Sequence, residues 1–132
     1  MIRLQWDEPQ LPGLQAQLNL IDLAGSEKLD QSGATGEVLK EAIAINKSLS
    51  ALGNVVSKLV DAAKFPDRRI HVPYKDSKLT YLLQSSLGGQ NLVHFILALH
   101  ASIAYQTDSL ATVEFGKRAL QLVLRPVRNP ID

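Results

Sequence analysis

A short acidic motif at the end of an apolar run constrains this chain more than any other feature. Residues 18–21 read Leu-Asn-Leu-Ile, and the string Asp-Leu-Ala-Gly-Ser-Glu follows from Asp22. The apolar run predicts a buried strand over residues 15–22. In nucleotide-binding α/β folds, this is where an acidic residue lies near Mg²⁺ and a glycine near the terminal phosphate. Taken alone, an aspartate at a strand end also fits a simple turn cap.

Composition excludes several other classes of protein. The chain has 132 residues, 45% of them hydrophobic and 20% charged, which predicts one ordinary globular core. It contains no cysteine, so a disulfide framework and a thiolate metal site are excluded. A net charge of +1 argues against a uniformly basic nucleic-acid binder. The apolar runs are too short to cross a membrane. We therefore expect neither nucleic acid nor membrane as a partner.

Two further segments read as strands, which makes about three in all. Residues 2–6 alternate apolar and polar side chains, as a half-buried strand does. Residues 7–13 hold two prolines and a glycine and predict a turn or surface loop. Residues 92–99 are almost entirely apolar, which favours a strand buried on both faces, with His94 as a buried histidine of the core.

The middle of the chain predicts a long amphipathic helix over residues 37–60. Its apolar side chains recur at intervals of three and four residues, which places them on one helix face: Ala42, Ile45, Leu49, Leu52, Val56 and Leu59. Residues 61–73 then predict a basic loop closed by a proline.

Two shorter helices follow. Asp76 or Ser77 is suited to cap a helix that ends at the pair Gly88-Gly89. A last helix is expected from Thr107 or Asp108 to about residue 122. The sequence Arg-Pro-Val-Arg-Asn-Pro beyond it cannot continue a helix.

The order of the motifs resembles one known family. After the Asp-Leu-Ala-Gly-Ser-Glu string come Ile-Asn-Lys-Ser-Leu-Ser-Ala-Leu-Gly at 45–53, His-Val-Pro-Tyr-Lys-Asp-Ser-Lys-Leu-Thr at 71–80, and Leu-Leu-Gln-Ser-Ser-Leu-Gly-Gly at 82–89. In this order they resemble the C-terminal half of a kinesin motor domain. The resemblance implies an α/β fold, a partial P-loop NTPase fold with about three strands and three main helices that lacks the N-terminal half. It assigns residues 1–124 to the motor and residues 125–132 to a tail similar to a neck linker.

The resemblance also implies roles in nucleotide sensing. Asp22 would hold Mg²⁺ through a water, the Gly25 amide would sense the γ-phosphate, and Glu27 would pair with an arginine of switch I. Asn46 would tie the long helix to the switch loop. The sequence contains no Gly-x-x-x-x-Gly-Lys-Ser/Thr phosphate loop. ATP or ADP and Mg²⁺ are therefore expected only in a complete motor, and the chain alone is not expected to hydrolyse ATP.

In kinesins, the long helix, the following loop and the next helix form the microtubule-binding surface. The resemblance makes microtubules the expected partner, in the cytoplasm and on the cytoskeleton, through Lys47, Lys58, Lys64, Arg68, Arg69, Tyr74, Lys75 and Lys78. This sequence departs from the family at Ile43 and Tyr81, where basic residues are common. Charge alone would also fit an ordinary solvated helix face.

The end of the chain allows two interpretations. Arg125, Val127 and Asn129 resemble the start of a neck linker, but a frayed terminus fits the same residues.

Three hypotheses cover the whole chain. It is a fragment of a working motor, whose full-length parent would drive ATP-dependent movement along microtubules. Alternatively, it is a degenerate module that hydrolyses nothing and binds microtubules, the missing N-terminal half or another protein. A third possibility is that Met1 is a start site inside a longer reading frame. Intact Asp22, Gly25 and Glu27 favour the first hypothesis, whereas Ile43 and Tyr81 favour the second.

Overall fold

The computed structural model describes residues 2–8, 11–25 and 36–126, in which a hairpin precedes three α-helices. The strands are β1 (Ile2–Glu8) and β2 (Leu11–Leu18), and the helices are α1 (Gly36–Lys64), α2 (Lys78–Leu87) and α3 (Gln106–Ala119). Single 3₁₀ turns at Tyr74–Asp76 and Ile103–Tyr105 precede α2 and α3. No helix in the described residues is long and apolar enough to cross a membrane.

The hairpin corrects two sequence-based predictions. β1 and β2 pair antiparallel with Ile2 opposite Leu18, so the predicted continuation of β2 to residue 22 has no residue of β1 left to pair with. The predicted loop over residues 7–13 is instead largely strand. The ladder shifts register between Trp6 and Glu8, opposite the segment that contains Pro12 and Gly13. A proline has no N–H to donate to the ladder. It is tolerated at this position because the ladder is already interrupted by the irregularity.

Helix α1 carries the core on the predicted face. Leu52 and Val56 are buried, and Leu59 packs beside them. Val55 and Val60 are buried as well, so the buried face is wider than the predicted stripe. The helix runs to Lys64, one turn past the predicted end at residue 60. Residues 62–64 are Ala-Ala-Lys, which are strong helix formers, and a lysine in the last turn complements the helix dipole.

Helix α2 begins and ends as the sequence predicts. Of the two predicted caps, Ser77 is the N-cap: its side chain accepts a hydrogen bond from the Thr80 amide, and the Thr80 side chain accepts one from the Ser77 amide. This reciprocal pair is a capping box. After the helix, Gly89 has a φ of +95°, a conformation that L-residues other than glycine rarely adopt.

We expect Ser77→Ala to lower the free energy of unfolding by about 1 kcal/mol, the typical contribution of an N-cap hydroxyl. The measurement is urea denaturation followed by circular dichroism. Ser85→Ala is the matched control, because Ser85 is exposed inside the same helix and its hydroxyl makes no hydrogen bond among the described residues. A loss of stability that is the same in both variants would mean that the cap contributes nothing.

Helix α3 starts one residue before the predicted Thr107 and ends at Ala119, three residues before the predicted end. Ser102 caps the 3₁₀ turn that leads into it. Its buried residues are Gly116 and Ala119, and Ala119 joins the core formed by Leu52, Val55, Val56 and Leu87.

The predicted third strand is not observed as a strand. Residues 92–99 have no strand partner in the described chain. Val93 and Phe95 nevertheless pack against the helical core, and Phe95 makes an edge-to-face contact with Phe115 at 5.6 Å between ring centroids. His94 was predicted to be buried and is exposed, because it points away from that face. The described structure thus contains two strands, not the expected three.

Candidate functional site

The acidic motif lies in a segment without regular secondary structure beside α1. Residues 19–25 follow β2, and Asp22 and Gly25 are both exposed. Ala24 and side chains of α1 and α2 line a shallow groove of about 280 Å³; the other lining residues are Glu41, Ala44, Ile45, Ser48, Leu49 and Leu79. The structure therefore places Ala24 of the motif alongside α1. Glu27, the predicted partner of switch I, lies outside the described residues.

Asp22 alone does not make a metal site. The described residues contain no group of three or more histidine, cysteine, aspartate or glutamate side chains that could hold a metal ion. Magnesium is usually bound through one or two carboxylates together with phosphates and waters. Asp22 contributes one exposed carboxylate, so the residues described here do not fit Mg²⁺ by themselves.

Helix α1 presents a polar face opposite its buried one. Ile43, Lys47, Ser50 and Asn54 are all exposed and recur at intervals of three and four residues, so they share this outer face. Ile43 retains 50% of its surface, which is high for an isoleucine in a helix that has a core to pack against. Asn46, the residue predicted to couple α1 to the switch loop, is half-buried next to Lys47.

Three of the predicted cations are engaged within the chain. Lys58 lies 3.8 Å from the Asp61 carboxylate. The Lys64 ammonium donates a hydrogen bond of 2.7 Å to the side-chain oxygen of Gln121. The Arg68 guanidinium lies 4.9 Å from the centroid of the Phe65 ring, a cation–π contact. Each of these side chains therefore has a local structural role besides any role in binding.

The other four predicted cations are not engaged. Lys47, Arg69, Lys75 and Lys78 are exposed, and their charged groups make no hydrogen bond or ion pair with any described residue. Lys78 occupies the first turn of α2, where the positive end of the helix dipole repels a cation. Lys78 is therefore unfavourable for the stability of α2 at this position.

A buried threonine holds the turn that carries Lys75. The Thr80 side chain is fully buried, and its hydroxyl donates a hydrogen bond of 2.7 Å to the Tyr74 carbonyl. The Ser77 amide donates to the same hydroxyl oxygen at 3.2 Å. Burial raises the pKa of the Tyr74 phenol above its ordinary value of 10.0. Thr80 thus fixes residues 74–77 against α2.

The sequence analysis missed Thr80 as a residue that shapes this surface. The spacing Ser77-x-x-Thr80 could have revealed this role, since a polar side chain three residues after an N-cap serine is typical of a capping box.

The start of the tail is attached to the helical layer. The Arg125 amide donates a hydrogen bond of 2.6 Å to the Gly89 carbonyl, directly after α2. The Arg125 side chain is exposed. Val127 and Asn129, the other residues predicted for the neck linker, lie outside the described residues.

Comparison with known proteins shows the class to which this fold and site belong. A sequence model of the kinesin motor domain matches residues 2–122. The chain belongs to the kinesin motor domain family. Kinesin-like protein KIN-12F of Oryza sativa subsp. japonica is 48% identical over 120 residues, which are 90% of this chain and 4% of the rice protein. The kinesin heavy chain of Drosophila melanogaster is 48% identical over 106 residues, 80% of this chain and 10% of the fly protein.

Solved motor domains share the fold. A KIF14 dimer in complex with AMP-PNP and a microtubule matches with a TM-score of 0.82 and 35% identity, over 89% of this chain and 31% of the KIF14 chain. The motor domain of the Kar3-like kinesin from Ashbya gossypii matches with a TM-score of 0.64 and 36% identity, over 80% of this chain and 33% of that one. The chain therefore has part of the P-loop NTPase fold of kinesin motors, and it spans about a third of these solved chains.

Proposed function

We propose that this chain is the microtubule-binding and nucleotide-sensing part of a kinesin motor, acting on the microtubule cytoskeleton. The observation that carries the proposal is the unengaged positive charge of Lys75 and Lys78 at the start of α2. The proposal is also supported by the KIF14 structures of this fold, which were solved in complex with a microtubule. In the full-length parent, ATP hydrolysis would drive movement along microtubules.

The proposed contact surface consists of the outer face of α1, the loop 65–73, the 3₁₀ turn at Tyr74–Asp76 and the start of α2. Exposed cations attract an acidic partner over about one Debye length, roughly 8 Å at physiological salt. Four of these cations have no hydrogen bond or ion pair in the described part of the chain, so none has to be broken when they bind a partner: Lys47, Arg69, Lys75 and Lys78. Lys58, Lys64 and Arg68 would first have to release their present partners, so they contribute less.

Nucleotide sensing would act through the segment around Asp22 and Gly25. Its closeness to α1, where Ala24 shares a groove with Ala44 and Ile45, supports a path from nucleotide state to the binding face. ATP or ADP and Mg²⁺ would bind only in a complete motor, where other residues supply the phosphate loop. Arg125 and the residues after it would then act as the start of a neck linker.

A co-sedimentation assay with microtubules tests the proposal. We expect Lys75→Ala combined with Lys78→Ala to weaken binding about tenfold, because each lost charge contact removes a fraction of a kcal/mol to about 1 kcal/mol. Lys117→Ala is the control, since Lys117 is exposed on α3, which is not one of the elements of the proposed surface. Binding should also fall as salt rises.

Two substitutions test the orientation of the surface. Ile43→Lys adds a cation one turn from Lys47, and Tyr81→Arg adds one a turn from Lys78. Both positions are exposed, at 50% and 59%, so neither change disturbs packing. We expect the pair to strengthen microtubule binding. If neither this pair nor the loss of Lys75 and Lys78 changes binding, the chain is instead a non-hydrolysing module for another protein partner.

A further inference from the structure

The hydroxyl of the buried Thr80 uses all of its hydrogen-bonding capacity. A hydroxyl has one proton to donate and two lone pairs with which to accept. The proton goes to the Tyr74 carbonyl at 2.7 Å, and the Ser77 carbonyl is a second acceptor within reach at 3.0 Å. The oxygen accepts from the Ser77 amide at 3.2 Å and lies 3.0 Å from the Ser77 hydroxyl. One side chain of α2 therefore bonds both ends of the segment 74–77.

The 3₁₀ turn inside this segment is held by a long hydrogen bond of its own. The Asp76 amide donates to the Pro73 carbonyl at 3.3 Å, whereas N–H···O distances are usually about 2.9–3.0 Å. Lys75 lies in the middle of the turn with an exposed side chain that makes no hydrogen bond or ion pair with a described residue. The position of the Lys75 backbone consequently depends on the bonds that Thr80 makes on either side of it.

The same side chain also fixes the backbone that carries Lys78. The Thr80 amide donates to the Ser77 hydroxyl at 3.1 Å, and this bond and its reciprocal partner form the capping box with which α2 begins. Lys78 is the first residue of that helix. Thr80 thus lies between two exposed cations and holds the backbone of both, although its own side chain is buried and touches no partner.

We propose that Thr80 is a positioning residue for microtubule binding: its hydroxyl keeps Lys75 and Lys78 at a fixed separation, so that an acidic surface meets them as one preformed pair. Groups that are already ordered lose less conformational freedom when they bind, and affinity rises by that difference. The inference rests on the proposed binding through these two lysines. It adds that their affinity depends on a buried hydroxyl that carries no charge.

Thr80→Val tests the hydroxyl, because valine keeps the shape of threonine and removes only the polar group. We expect microtubule co-sedimentation to weaken roughly three- to fivefold, which is less than the loss of the two lysines themselves. Thr80→Ser retains the hydroxyl and loses a methyl group, and it should restore most of the affinity. Binding is compared at a temperature where circular dichroism shows that every variant is folded.

Thr112→Val is the matched control. The Thr112 hydroxyl also donates to a backbone carbonyl, that of Asp108 at 2.9 Å, but it lies on α3, which is not an element of the proposed surface. We expect it to change affinity less than about twofold. Equal losses from Thr80→Val and Thr112→Val would overturn the proposal, since both would then report only a general loss of stability.

A double-mutant cycle shows whether Thr80 acts through the lysines. In a chain that already carries Lys75→Ala and Lys78→Ala, adding Thr80→Val should change affinity less than about twofold, because the charges that it positions are gone. If Thr80→Val instead weakened binding by the same factor in both backgrounds, its effect would be independent of the lysines and the proposal would be rejected.

Amide hydrogen exchange gives a readout that needs no microtubule. Exchange over residues 74–78 should be faster in Thr80→Val than in Thr80→Ser, because the valine leaves the Ser77 amide without its acceptor. Unchanged exchange would overturn the proposal. If the loss of Lys75 and Lys78 leaves binding unaltered, the proposed function fails and this inference fails with it. If the lysines matter and Thr80→Val binds like the original chain, the inference alone fails.

Discussion

Replacing Leu87 by alanine is expected to destabilise the chain by about 2–5 kcal/mol, the range for a leucine truncated inside a core. Leu87 is only 3% exposed and packs in one cluster with Leu52, Val55, Val56 and Ala119. This cluster contains at least one side chain from each of the three helices. Since small domains are stable by only a few kcal/mol, the loss approaches the whole free energy of folding.

The measurement is urea denaturation monitored by circular dichroism of the helices. Leu82→Ala is the control on the same helix, because Leu82 is 75% exposed and its loss should cost within about 0.5 kcal/mol. If both variants melted at the same urea concentration, the cluster around Leu87 would not be the core that holds the helices together.

Local patterns predicted the helices well. Apolar residues recur at intervals of three and four from Ala42 to Leu59, and this pattern predicts the buried face of α1. It could be predicted because helix periodicity depends only on residues that are close in the sequence. The N-cap of α2 was likewise predicted from a short motif around Ser77. Helix ends were predicted less accurately: α1 continues to Lys64, since Ala62, Ala63 and Lys64 are strong helix formers.

Strands were predicted less accurately than helices, because the pairing of a strand depends on residues that are far away in the sequence. The last pair of the β2 ladder is Leu18 opposite Ile2, which lie 16 positions apart in the sequence. Residues 92–99 carry the composition of a buried strand, yet a strand also needs partners, and the described chain provides none. His94 is exposed because it lies on the side of the segment that faces away from the core contacted by Val93 and Phe95.

The candidate site was predictable as a set of residues but not as a set of contacts. The motif strings identified the family and the cations. The hydrogen bond from Lys64 to Gln121 joins residues 57 positions apart, which no local pattern reveals. The ion pair between Lys58 and Asp61 is different, because a lysine and an aspartate three residues apart on a helix are a local pattern.

The 132-residue chain is expected to show no microtubule-stimulated ATP turnover on its own. Phosphoryl transfer depends almost entirely on positioning and charge stabilisation, which a phosphate loop and its lysine provide. The sequence contains no Gly-x-x-x-x-Gly-Lys-Ser/Thr string, and the described residues bring no second ligand beside Asp22 to hold a metal ion. A steady-state phosphate-release assay with and without microtubules measures this directly.

Asp22→Asn provides the internal control for that assay. In the isolated chain the substitution should have no effect, because there is no turnover for it to remove. Turnover by the isolated chain on the order of 1–100 s⁻¹, lost in Asp22→Asn, would falsify the expectation. It would mean that this third of a motor domain assembles a phosphate site from its own residues.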